Sequence, residues 1–171
     1  MHIIGVLTLA LLLPAVFLGP AALPVQDGHE ADEQAIRGVM DGFMDAWNHH
    51  DAKTWTALFS EDAEFTNVRG VGASGRKDIE EFHARVFATI FKNSHQKYTA
   101  IKTRFIRPDV AEVDVHWEMT GPTDPAGNPV PLRLGLLNFV MTRSEMARTD
   151  EKWQIVVMHN MDLPGPAPTA K

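Results

Sequence analysis

Val110-Ala-Glu-Val-Asp-Val-His-Trp-Glu-Met-Thr120 decides the fold, because from Ala111 onward its character changes at every residue. Val113, Val115, Trp117 and Met119 fall on one side, and Glu112, Asp114, His116 and Glu118 on the other. A period of two describes a β-strand with one face toward a core and one toward water. Outward from it, Tyr98 to Arg107, Pro131 to Arg143 and Lys152 to Met161 read as three more strands. Pro108-Asp109 and Ser144 to Glu151 make short connections, and Gly121 to Pro129 a longer one rich in turn formers. Short connections join antiparallel neighbours.

The chain before residue 92 follows a different period. Ile36, Val39, Met40, Phe43, Met44 and Trp47 recur at helical spacing from Ala31 to Asn48, with Asp32 as the expected N-cap. Asp51 caps a second, short helix whose apolar face is Trp55, Leu58 and Phe59. A strand over Asp62–Val68 and a glycine-rich loop over Arg69–Gly75 follow. A third helix over Arg76–Phe91 carries Ile79, Phe82, Val86 and Ile90 on one face. Helices followed by a run of strands define an α+β domain with the helices on one sheet face.

Composition bounds the rest. The chain has 171 residues, 16 Lys+Arg against 22 Asp+Glu, and no cysteine. One core fits that length. A net charge of −6 lacks the clustered cations that nucleic-acid binding needs, so no nucleic-acid partner is expected. Thiolate metal sites and thiol nucleophiles are excluded outright. Residues 1–22 hold no Asp, Glu, Lys or Arg, and Ile3–Leu18 is apolar almost throughout. With Gly19 and Ala21 as the small cleavage-site residues, this segment reads as a signal peptide that exports the protein to the periplasm or beyond the cell, with no membrane contact after cleavage. The alternative is an uncleaved anchor, because Ile3 to Leu23 approaches spanning length. Residues 23–30 read as a linker, 31–162 as the folded domain, and the Pro-rich 163–171 as a disordered tail.

Two features concern the interior. His83 shares the apolar face of the third helix, four residues after Ile79 and three before Val86. It is either a core histidine donating to a backbone carbonyl or, with His159 and Asn67, part of the lining of a cavity between helices and sheet. His159 follows Trp153, Ile155 and Val157 in phase, which places it at the end of the core-facing row. The strand before it is apolar on both faces, so the sheet should be covered twice. A second copy of the chain is expected on the outer face, through Leu137, Phe139, Met141, Val156 and Met158.

Trp47-Asn-His-His-Asp-Ala-Lys-Thr-Trp-Thr-Ala-Leu-Phe-Ser-Glu-Asp-Ala-Glu-Phe65, with Gly70 to Gly75 and Arg76-Lys-Asp-Ile79, resembles the nuclear transport factor 2-like superfamily, in particular its SnoaL-like and ketosteroid-isomerase-like members. Trp153-Gln-Ile155, His159-Asn160, the Ile79–His83 spacing and Asp124-Pro-Ala-Gly127 resemble the branch labelled SgcJ/EcaC oxidoreductase-like. The resemblance spans about residues 32 to 162. It implies a cone, in which a curved antiparallel sheet wraps three helices, with a pocket at the wide end and dimers as the rule. In the isomerases a carboxylate base stands where this chain aligns Asn67, and an enolate-stabilising tyrosine where it aligns Phe43. Neither residue can do that work, so ketosteroid isomerisation is not expected.

The expectation is therefore an exported cone-shaped domain holding a small, largely apolar ligand, or a non-catalytic binding or assembly module. His83 and His159 are the candidate acid/base groups for proton transfer or water addition. Asn67, Asn160, Trp117, Phe43 and Asn138 are the candidate ligand-binding residues. No cofactor or metal is called for. The adjacent His49-His50 point about 100° apart on a helix end, and the glycines at 70, 72 and 75 lack dinucleotide-binding spacing.

Overall fold

A computed structural model describes residues 28–143 and 152–164. The segments read as signal peptide (1–22) and most of the linker lie outside the described residues. So do the 144–151 connection and the tail from 165 onward. No helix among the described residues is long and apolar enough to cross a membrane.

Helix α1, Glu30–Asn48, buries Ile36, Met40, Phe43, Met44 and Trp47, the stripe its spacing predicts. It starts one turn earlier than an Asp32 cap would allow: His29 is the N-cap and Asp32 lies inside the first turn. Its carboxylate accepts instead from Arg143 Nη1 (2.8 Å) and Trp153 Nε1 (3.0 Å), which ties α1 to the far end of the sheet. At the other end Asn48 exchanges two hydrogen bonds with the backbone of Gln96. Helix α2, Ala52–Thr56, has the predicted Asp51 cap, which accepts from Thr54 N at 3.0 Å. Phe59 belongs to strand β1, Phe59–Thr66, not to the short helix. The glycine-rich loop contains a three-residue strand, β2, Gly72–Ser74. Helix α3, Arg76–Phe87, ends four residues before Phe91. The strands β3 (His95–Arg107), β4 (Val110–Thr120), β5 (Arg133–Arg143) and β6 (Trp153–Leu163) form an antiparallel meander.

The sheet runs β2-β1-β6-β5-β4-β3. One pair, β1–β6, is parallel. Parallel neighbours need a long crossover, and here α3 and four strands, β2 to β5, supply it. Irregular registers in β3 and β6 bend the sheet around the helices. The core fills the enclosed side, with Val113, Val115, Trp117 and Met119 of β4 all buried as the alternation requires.

Two side assignments differ from expectation. In β6, Val157 pairs with Val140 and Ile155 with Met141, so Val156 is an extra residue without a partner in β5. This bulge reverses the phase of every residue after it. Met158 and Asn160 turn inward, and His159 is exposed, level with Asn138 and Thr66 on the outer face. In β5, Leu137, Phe139 and Met141 are at most 1% exposed and belong to this chain's own core. A dimer face built on them and Met158 is therefore corrected. The half-buried outer row consists of Leu134, Leu136, Asn138 and Val140. A strand apolar on both sides carries no period that tells its faces apart.

Candidate functional site

Between α3 and the inner face of the sheet lies a cavity of about 460 Å³. Trp47, Phe65, Phe82, Val86, Met119 and Met158 give it apolar walls. Four regions supply polar residues: the turn after β1 (Asn67, Arg69), helix α3 (His83), the loop after Gly121 (Thr123, Asp124), and the adjoining ends of β5 and β6 (Arg133, Asn160, Asp162). The loop that follows Gly121 closes one side, anchored where Thr123 N donates to Ile90 O at 2.9 Å.

His83 joins both of the roles open to it from the sequence. It is 3% exposed, and its Nδ1 lies 2.8 Å from the carbonyl oxygen of Ile79. It also lines the cavity. Its ring sits in an aromatic nest, with centroids 4.0 Å from Trp55, 4.8 Å from Phe65 and 5.1 Å from Phe82. Burial in that nest pushes its pKa down to about 4, against the opposing pull of the Ile79 hydrogen bond. The imidazole is neutral at physiological pH.

Asn67 and Asn160 also line the cavity. Asn67 Oδ1 accepts from Arg69 N (2.8 Å) and Val71 N (3.0 Å), so its oxygen holds the glycine turn. Asn160 Oδ1 accepts from Trp117 Nε1 at 3.2 Å. Trp117 lies behind Asn160 in the core and does not line the cavity. Phe43 is fully buried, 4.7 Å from Trp55 and 5.4 Å from Phe139 between ring centroids. Asn138 is on the outer face, donating to Asp114 Oδ1 at 2.7 Å. None of these three lines the cavity, and His83 and His159 do not meet there because His159 faces away.

The residues that sequence reasoning missed are Arg133 and Asp162, paired at 2.6 Å. The Arg133 guanidinium lies 5.5 Å from the Trp117 ring centroid and 5.9 Å from that of Phe91. A signal was present: Arg133 is the one charged residue between Asp124 and Arg143. A cation in so apolar a stretch is costly to bury unless paired. Among the described residues no cluster of potential metal ligands occurs.

Fold and cavity together define an α+β domain whose curved sheet and helices enclose a small-molecule-sized space. The chain belongs to the SnoaL-like domain family, whose sequence model matches residues 40–153. Among solved structures it is similar to a cystatin-like-fold protein from Caulobacter vibrioides, at 25% identity and a TM-score of 0.70, covering 77% of this chain and 89% of that one. A Nostoc punctiforme domain of the same fold is 28% identical, with a TM-score of 0.68 and 80% of each chain covered. A ketosteroid isomerase-like protein from Erwinia carotovora atroseptica shares the fold at 17% identity and a TM-score of 0.65, over 81% of this chain and 99% of that one. No curated protein matches the sequence.

Proposed function

We propose that this protein binds one small, largely apolar molecule in the cavity between α3 and the sheet. The observation that carries this reading is a space of about 460 Å³ with aromatic and aliphatic walls and a few converging polar groups. That is the usual composition of a small-ligand site. Binding is favoured over proton transfer or water addition, because His83 has no second imidazole beside it. A ring with a pKa near 4 is also a weak base at neutral pH.

The reading includes export through residues 1–22, membership of the SgcJ/EcaC branch on the strength of its Trp153-Gln-Ile155 and His159-Asn160 strings, and a dimer formed through the outer face of β5 and β6. Its test is native mass spectrometry of protein recovered after export. The expected result is a mature amino terminus near residue 22 and one small apolar molecule released on denaturation. A Val86→Trp variant, filling the cavity, should come out empty. Protein that is empty in both forms, and that takes up no apolar probe, would overturn the proposal.

A further inference from the structure

We infer that the molecule held in this cavity presents a hydrogen-bond donor, a neutral hydroxyl or N–H, to Nε2 of His83. This rests on the cavity being a ligand site and adds the chemistry of the ligand's buried end.

The argument starts from Ile79. A carbonyl oxygen can only accept, so the 2.8 Å contact from His83 Nδ1 places the ring proton on Nδ1. Both residues are buried and four apart on the same helix, so water does not compete for that bond. A neutral imidazole carries one N–H. With Nδ1 protonated, Nε2 is a bare lone pair and can only accept.

The surroundings keep it so. Trp47, Trp55, Phe65, Phe82 and Phe87 pack around the ring, and none of them is an acid that could protonate it. Burial keeps the ring neutral. Among the described residues no group donates to Nε2, and His83 lines the cavity. Nε2 is not one of the fully buried unpartnered atoms among the described residues, so it opens onto the cavity. Once an apolar ligand excludes water there, an acceptor without a donor is unfavourable, and a ligand hydroxyl reaching it removes that cost. A carbonyl, ether or carboxylate at the same place sets one lone pair against another. Discrimination should therefore run alcohol or phenol over aldehyde, ether and acid.

The test uses the purified full chain and four probes of one shape: naphthalene, 2-naphthol, 2-methoxynaphthalene and 2-naphthaldehyde. By calorimetry, naphthol should bind at least about tenfold more tightly than the ether or the aldehyde, the scale of one buried hydrogen bond. His83→Phe keeps an aromatic ring in the nest and removes the acceptor. It should bind naphthalene at least as well and bring naphthol within about threefold of the ether. His83→Gln carries both an amide oxygen and an N–H, so it should accept naphthol and admit the aldehyde. Long-range ¹H–¹⁵N spectra of the wild-type chain should show Nδ1 protonated and Nε2 bare. Equal binding of naphthol and ether, a preference that survives in His83→Phe, or a protonated Nε2 would each overturn the inference and leave the pocket reading standing. Failure of all four probes to bind would overturn both.

Discussion

Gly135 lies so close to the indole of Trp117 that a Cβ on it would stand 2.1 Å from Cζ2 and 2.6 Å from the carbonyl oxygen of Met161. The bare backbone of β5 is what lets the tryptophan lie flat, and Trp117 Nε1 then donates to Asn160 at the cavity wall. Gly135→Ala has no space to occupy, since the ring is buried and the opposing atom is main chain. A loss of about 1–3 kcal/mol in urea denaturation is expected, together with weaker ligand binding as Asn160 is displaced. An unchanged midpoint would show that the indole has room to move.

Gly38 gives the opposite result. It sits on the exposed side of α1, and nothing lies within 4 Å of where a Cβ would be. Gly38→Ala should raise stability by about 0.5–1 kcal/mol, because glycine in a helix interior loses the most backbone freedom on folding. Thermal denaturation checks it, and no gain would mean that the α1 backbone is not fully helical at that point.

The contrast between these two glycines also shows what a sequence discloses. Gly38 stands in a helical period that reads directly from Ile36, Met40, Phe43 and Trp47. The inward row of β4 is equally legible, because apolar and charged residues alternate without a break. Gly135 stands in a strand apolar on both sides, where neither the inner face nor the close approach of Trp117 leaves a local trace. His159 lies off its expected face for a different reason. The extra residue Val156 depends on how β5 and β6 pair, and Trp153-Gln-Ile-Val-Val-Met-His159 reads equally well without it. Within the site, His83 was legible as a polar residue on an apolar helical face. Arg133 and Asp162 come together only through the β5–β6 register, in which Gly135 faces Asp162.

The outer face of the sheet carries the proposed dimer. Leu136 pairs with Met161 and Val140 with Val157, forming an apolar patch beside the Glu112–Asp114–Asn138 hydrogen bonds. Met161 is 42% exposed. Leu136→Lys should leave the fold intact and convert a dimer to a monomer in sedimentation at micromolar concentration. Leu137→Lys, one residue along and 1% exposed, should instead unfold the chain, because an unpaired ammonium cannot be buried there. A monomeric wild-type chain would remove the dimer from the reading.

His83 should make stability depend on pH in a defined window. Its folded pKa is about 4 and its ordinary value 6.5, so between those limits the unfolded chain binds more protons at this residue than the folded one. Stability therefore rises with pH across that interval. The contribution is fully present above pH 6.5 and is lost as the pH falls toward 4, where the folded ring itself begins to protonate. The most that one such residue can supply is on the order of 3 kcal/mol. Urea midpoints measured from pH 7.5 down to 4 should fall for the wild-type chain, and His83→Phe should remove this component of the slope. The neighbouring rings carry no charge to compensate, so equal slopes in the two proteins would mean that His83 is hydrated and that its contact with Ile79 is not a buried one.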